Sequence, residues 1–365
     1  MKVVQLLPEL NEGGVERGVV EITREFNKYN IKSYVISGGG KLVSEIEKNG
    51  VTHITADVYS KNLLTMIQRV LKLRKILKEI EPDIVHVRSR VPAWLLKFAK
   101  IGLNLNIVST VHGINTPNFY SKIMTDADKI ICVSNAVKEH IIKHFNVQND
   151  KISIVFRGVD LTSFDPKNLA DKRTLRDKFK IESELVISVV GRITQIKNIE
   201  TILKATALLK QNFSSVCLIV AGGAHPKKEE YFNKLKALTK ELGLDKNVKF
   251  LGSISEVAKI YKLSDVVVSA TLKPESFGRS VAEAIALNTP VVASNHGGVK
   301  DIIKDGENGY FFEPLDEAEL SKKILLAREL KFDGFNYIKE KFNLENMTKE
   351  TIKIYKDFYD TKNNL

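Results

Sequence analysis

The chain reads as an α/β protein built from two doubly wound, Rossmann-like domains, and three observations carry that reading. Short strand-like apolar runs alternate with helical apolar periods from end to end, the pattern of parallel sheets covered by helices on both faces. With 365 residues and 43% hydrophobic content, the chain can bury a sizeable core, and its length favours two domains over one. A polar, charged stretch (KNLADKRTLRDKFKIESE) follows FRGVDLTSFDP and supplies the linker. The expected domains are therefore 1–165 and 166–342.

Strands are expected at residues 3–7, 33–37, 83–87, 107–111, 129–133 and 152–155 of the first domain, with helices between them. A second series is expected at 185–190, 216–221, 248–251, 266–269 and 291–293. The tail, 343–365, has helical apolar spacing and many lysines. Residues 61–80 carry six basic side chains and one acidic one on an amphipathic pattern. Their spacing predicts a buried stripe of Leu63, Ile67, Val70, Leu73 and Leu77 with a solvated basic back. The other use of such a back is contact with an anionic membrane surface.

Composition narrows the setting. Cys132 and Cys217 lie far apart in strand-like apolar runs, which suits reduced, buried thiols and a cytoplasmic protein. The first strand begins at once, without a signal-peptide core, and no apolar run approaches the ~18 residues of a membrane span. The formal charge is +12, with 23 basic against 16 acidic side chains in residues 1–160. Such an excess favours polyanionic partners, but no stacked aromatic platform, zinc-finger spacing or helix-turn-helix signal points to nucleic acid.

The most informative stretch runs from Ala270 to Gly298. Glu275 precedes Ser276-Phe277-Gly278, where a helix should start, and Glu283 lies inside that helix with seven residues between the two carboxylates. A strand on either side makes this one βαβ step, whose carboxyl end is where open α/β sheets bind ligands. Free backbone N–H groups at Phe277, Gly278, Arg279 and Ser280 would form a partial positive pole suited to a sugar diphosphate. Gly13 and Gly14 follow the first strand and precede a helix, so backbone there can approach a phosphate or sugar. The spacing G-G-x-x-x-G is not the dinucleotide fingerprint, which disfavours an oxidoreductase. Asp126 and Asp128 spell D-x-D where a helix gives way to a strand, and read as turn acids; no metal site is expected.

Glu275-SFGRSVA-Glu283 with the turn Asn295-His296-Gly297-Gly298 resembles the signature of retaining GT-B glycosyltransferases of glycosyltransferase family four. Gly191-Arg192 through Lys197 resembles the Gly-Arg…Lys motif of that family, and LPELNEGGVERGVVEI its N-terminal Gly-Gly loop. HVRSRVPAW and FRGVDL are most similar to lipopolysaccharide-core mannosyltransferases. The resemblance implies two domains facing a central cleft, a tail crossing back onto the N-terminal domain, no cofactor, and a nucleotide-diphosphate sugar as donor. It implies metal-independent transfer of a hexose to a saccharide or lipid-linked saccharide, with retention of configuration.

Within that frame Arg192 and Lys197 would stabilise charge developing on the leaving diphosphate. Glu275 and His112 would orient the donor sugar, and Glu283 would hold the ribose diol. Arg88, Ser89 and Arg90 would take an anionic acceptor, and Arg157 would serve donor or acceptor. Where the family follows its lysine with glycine, this chain has Asn198, which bears on the loop geometry. An epimerase or phosphorylase of the same architecture is the rival reading.

Overall fold

The computed structural model describes residues 1–11, 13–224 and 229–363, the last three as backbone only. The chain divides into two compact units, Met1–Gly158 with Leu344–Leu365, and Val159–Asn343. The division therefore falls at Gly158, inside FRGVDL and ahead of the charged linker stretch.

Among the described residues the first unit holds seven strands: β1 (Lys2–Leu6), β2 (Lys32–Ser37), β3 (Thr52–Thr55), β4 (Ile84–Val87), β5 (Ile107–Val111), β6 (Lys129–Cys132) and β7 (Ile152–Ile154). Their order is β3-β2-β1-β4-β5-β6-β7, and every pairing is parallel. The central strands are buried on both faces, which is why they read as continuous Val/Ile runs. The connection order reverses between β1 and β4, and that switch point is where loops from adjacent strands part to leave a crevice.

The second unit repeats the plan with six parallel strands among its described residues: β8 (Leu185–Val190), β9 (Val216–Ala221), β10 (Val248–Gly252), β11 (Val266–Ser269), β12 (Val291–Ser294) and β13 (Gly309–Phe312). Their order, β10-β9-β8-β11-β12-β13, places the switch point between β8 and β11.

Two strands escaped the sequence reading, β3 and β13. Both are outermost in their sheets, and β3 (THIT) has no fully buried residue. An edge strand such as β3 needs no apolar run, so its composition carries little signal; β13 (GYFF) is apolar but only four residues long.

The Met66–Ile80 helix corrects the expected stripe. Leu73, Ile76, Leu77 and Ile80 are buried, but Leu63 and Ile67 are 79% and 71% exposed. Arg69, assigned to the solvated back, is buried instead. Ile67 and Leu71 thus lie on a different face from the positions that pack, while Val70 of the expected stripe is half-buried.

The final helix, Leu344–Asn363, packs on the first unit, where Leu344, Met347, Ile352 and Tyr355 share a core with Val3, Ile22, Phe26, Ile84 and Val108. Tyr355 is fully buried, its ring centroid 5.9 Å from that of Phe26. Its hydroxyl meets His86 Nδ1 and accepts from Gln5 Nε2 at 3.3 Å, so a buried polar network ties the helix to β1 and β4. Burial pushes the Tyr355 hydroxyl up to about 12 and keeps it a neutral donor. Replacing Tyr355 with Ala removes a full aromatic ring and orphans these partners, an expected cost of about 3–5 kcal/mol. Urea unfolding of Tyr355→Ala reads this directly; a loss below about 1 kcal/mol would mean the tail contributes little.

Candidate active site

In the second unit the candidate residues lie on loops that leave β8, β11 and β12. After β8 the chain turns through Gly191, whose φ of +144° favours glycine and over which the end of the Lys197 side chain packs. Lys197 Nζ lies 2.5 Å from Glu275 Oε1, and both side chains are partly buried. The two sequence-predicted groups are therefore brought together as an ion pair, and Glu275 faces a cation where neutral hydroxyls were expected. The loops are also tied through backbone, Leu272 N–H donating to the Ile196 carbonyl at 2.8 Å.

Arg192 stands on the same loop, exposed, and among the described residues it makes no ion pair. Asn198 adopts φ 49°, ψ 51°, the left-handed conformation that glycine takes most cheaply and asparagine next. The departure from the family's glycine thus preserves the turn. Asn198 Oδ1 accepts from Thr201 Oγ1 at 3.0 Å, fixing the start of the following helix.

The loop before the Arg279–Ala286 helix is set by close backbone packing. Gly298 N–H donates to the Glu275 carbonyl at 2.7 Å, and Glu275 pairs with Gly297 as an isolated parallel bridge. A Cβ on Gly297 would lie 2.5 Å from the Glu275 carbonyl oxygen, and one on Gly298 would lie 2.4 Å from that of Ser276. Gly278 takes φ +101° as N-cap, and no side chain caps this helix end. Ser280 is half-buried in its first turn, leaving backbone N–H groups for an anion. The Phe277 ring is buried, 5.9 Å from the Phe342 ring, so only its backbone is available to a ligand.

Glu283 is buried on the inner face of that helix. Its Oε1 accepts from Arg279 Nε at 2.8 Å and its Oε2 from the Tyr261 hydroxyl at 3.1 Å. Burial and the Glu283 charge push the Tyr261 phenol well above its ordinary value, so it stays a donor. Tyr261 was missed because it sits unmarked on the Val257–Leu263 helix, where a core tyrosine looks the same. His296 carries no sequence signal beyond its place in a turn; its Nε2 lies 2.9 Å from the Thr271 carbonyl, a second tie between these loops.

In the first unit, Gly13 and Gly14 are exposed at the start of the Gly14–Phe26 helix. A Cβ on Gly14 would meet nothing within 4 Å, so no internal contact demands glycine there. Gly18 is different: Arg157 Nη2 lies 1.9 Å from where its Cβ would be, and the same nitrogen donates to the Gly14 carbonyl at 2.7 Å. The third glycine of the G-G-x-x-x-G spacing therefore admits the Arg157 guanidinium.

Arg88 is not a rim residue. It is buried, its Nε donating to Gln5 Oε1 at 2.7 Å and its Nη1 to Thr110 Oγ1 at 3.2 Å, while Nη2 is covered and unpartnered among the described residues. Burial lowers its guanidinium to about 10, still charged at neutral pH. Ser89 and Arg90 are half-buried, with Arg90 reaching Ser121 Oγ at 3.2 Å. Arg88, Ser89, Arg90, His112 and Gly113 line a cavity of about 190 Å³. His112 Nε2 is covered and, among the described residues, has no partner. Burial, then the Arg157 and Arg88 charges, hold the His112 imidazole well below its ordinary value, hence neutral.

Asp126 and Asp128 are engaged structurally: Asp126 pairs with Lys97 at 2.9 Å, and Asp128 Oδ2 accepts the Ile107 N–H at 2.9 Å.

Residues 171–341 match the family described as glycosyl transferases group 1, and residues 12–163 match glycosyltransferase family 4. The chain belongs to these glycosyltransferases. An uncharacterised glycosyltransferase of Methanocaldococcus jannaschii is 31% identical over 242 residues, 62% of this chain and 60% of that protein, so the match spans less than two thirds of the relative's length. A solved glycosyltransferase of Rickettsia africae shares 29% identity over 98% of each chain with a TM-score of 0.89. Anabaena HepE, solved with UDP and glucose, shares the fold at a TM-score of 0.84, with 19% identity over 97% of this chain and 99% of that one.

Two expectations follow from this geometry. Gly297→Ala forces a Cβ into backbone at a positive φ, and should lower stability by about 1–3 kcal/mol while displacing Glu275. An unchanged melting temperature would show that the loop yields. The second concerns pH. His86, buried between Tyr355 and Thr110 Oγ1, is also held well below its ordinary value, by burial first and then by Arg88 and His112. Histidines depressed in the folded state stay neutral while the unfolded chain takes up protons, so stability is full above about pH 6.5 and falls below it. The loss should be ~2 kcal/mol per histidine between pH 7 and 5. Urea midpoints at the two pH values measure it, and His86→Gln should remove about half.

Proposed function

We propose that this protein is a nucleotide-sugar-dependent glycosyltransferase that moves a hexose, retaining its configuration, to a saccharide or lipid-linked saccharide acceptor. The observation that carries the reading is the convergence in the second unit of Lys197, Glu275 and an uncapped helix start on loops beside the β8/β11 switch point. A diphosphate is the ligand that suits this group. It would draw Lys197 from Glu275 and meet Arg192, which already stands exposed, while the N–H groups from Phe277 to Ser280 take further phosphate oxygens.

Glu283 would accept the ribose hydroxyls. Its oxygens accept from Arg279 and Tyr261, and a carboxylate oxygen can accept from more than one donor. Glu275, released from Lys197, would accept from hydroxyls of the transferred sugar; neutral His112 is the first unit's candidate for contact with a sugar hydroxyl. Gly13 and Gly14 offer backbone approach, and at Gly14 no internal contact demands glycine. Arg88, Arg90 and Arg157 make the first unit's cavity region cationic, which suits an acceptor bearing phosphate. The cations would stabilise the leaving diphosphate without a metal ion: the bond between the anomeric carbon and the β-phosphate oxygen breaks, the nucleoside diphosphate departs intact, and the acceptor hydroxyl, losing its proton, takes the sugar. An α-hexosyl donor of the GDP-mannose type, feeding cell-envelope polysaccharide or lipopolysaccharide, is the first to test. The resemblance of HVRSRVPAW and FRGVDL supports it, whereas the UDP and glucose held by HepE mark UDP-glucose as the competing donor.

Lys197→Ala, Arg192→Ala and Glu275→Ala should each lower turnover at least ~100-fold, equivalent to ~2.7 kcal/mol of transition-state stabilisation. A thermal-shift panel of GDP, UDP and ADP followed by product analysis by NMR checks donor and stereochemistry together. Release of free sugar phosphate or an epimerised donor would replace the transferase reading, as would full turnover in folded Lys197→Ala.

A further inference from the structure

The first unit displays an apolar surface that neither its core nor the candidate active site uses. Leu63 and Leu64 are 79% and 93% exposed at the turn before the Met66–Ile80 helix, and Ile67 and Leu71 continue the same face at 71% and 59%. These side chains are held out by a built support. Buried Arg69 donates from Nη1 to the Ser60 carbonyl at 2.6 Å, from Nη2 to the Asn62 carbonyl and from Nε to Thr65 Oγ1 at 3.1 Å. Asn62 Oδ1 accepts the Leu64 N–H at 2.9 Å and completes the turn. Holding two leucines in water on a clamped turn is unfavourable for a chain with nothing to bury them against.

Beside the turn lies a groove of about 360 Å³, lined by Leu63, Met66, Trp94, Leu95, Phe98 and Tyr120. The exposed ring of Phe119 packs 5.2 Å from that of Trp94 and extends the groove's apolar rim. Basic side chains surround it. Lys61, Lys72, Lys75 and Lys78 are exposed along the turn and helix, and Lys97 Nζ stands 5.3 Å from the Trp94 ring. The acids nearby are few and engaged: Glu79 with Lys75, Asp57 with Arg69 and Asp126 with Lys97.

We propose that this face docks on an anionic phospholipid bilayer, Leu63, Leu64, Ile67 and Leu71 entering the acyl boundary, the groove covering a lipid chain, and the lysines meeting headgroup phosphates. Charge complementarity selects the occupant. A second copy of this chain would set one lysine-rich face against another, whereas an anionic membrane satisfies leucines and lysines at once. The inference stands apart from the glycosyl-transfer reading, because it uses none of the residues assigned there.

Flotation with phosphatidylcholine vesicles, with and without phosphatidylglycerol, tests it on the full chain. Wild-type protein should float with the anionic vesicles and less in high salt. Trp94, the chain's one tryptophan, should shift its emission to the blue on binding. Leu63→Ser with Leu64→Ser should lower partitioning at least ~10-fold. Lys72→Gln with Lys75→Gln should lower it several-fold and flatten the salt dependence. Because Leu64 is almost wholly exposed, Leu64→Ser alone provides a variant whose unchanged melting temperature and nucleotide-induced thermal shift rule out misfolding. Wild-type protein that stays behind at both compositions would overturn the proposal, as would a double leucine variant that floats like wild type. So would a concentration-dependent dimer abolished by the same leucine changes without vesicle binding, since it would identify a second copy as the occupant.

Discussion

Backbone lies directly on backbone where β11 and β12 end, and the second unit's candidate site rests on that contact. Gly297 and Gly298 approach Glu275, Ser276 and Phe277 so closely that no Cβ fits. The loop is thereby held at the start of the Arg279–Ala286 helix. Gly222 acts in the same way at the neighbouring strand end: its Cβ would fall 1.8 Å from the Gly191 carbonyl oxygen, so the loops after β8 and β9 also stack without side chains between them. With the loops packed in this way, Lys197 folds over Gly191 and reaches Glu275. Glycine's usual entropic cost in an ordered segment is offset here by geometry that no other residue permits.

The two units treat charge differently. In the second, cations and carboxylates neutralise one another, Lys197 with Glu275 and Arg279 with Glu283, so a bound anion would exchange one partner for another. In the first, Arg88 is buried among neutral acceptors, Gln5 and Thr110, with a covered Nη2 lacking a partner among the described residues. Burying a charge beside neutral groups costs more than burying it beside an acid, and the network through His86 and Tyr355 offsets some of that cost by satisfying its neighbours. The final helix is thus both a core element and one wall of the polar interior beneath the cavity that Arg88 and His112 line.

The sequence reading of the fold succeeded where burial was complete. Central parallel strands are covered on both faces, so β1, β4, β5, β8, β9 and β11 each had to be apolar runs, and their alternation with helical periods carried the architecture. It failed at β3, an edge strand with no fully buried position, and passed over β13, whose apolar GYFF is only four residues long. It failed again at residues 63–71. Periodicity records that a face is apolar but not what covers it, and Leu63 and Ile67 share the spacing of residues that are buried.

The amino-acid order alone determined which chemistry each loop carries: the glycines at 191, 297 and 298, the cations at 192 and 197, and the carboxylates at 275 and 283 stand next to strand ends that local apolar runs already mark. Only the tertiary structure decided how those groups meet. It paired Lys197 with Glu275 across 78 positions of sequence, buried Arg88 against Gln5, and put Tyr261 beneath Glu283. Such encounters depend on which strand ends become neighbours in the sheet, and strand order is set by non-local packing that no stretch of sequence encodes by itself.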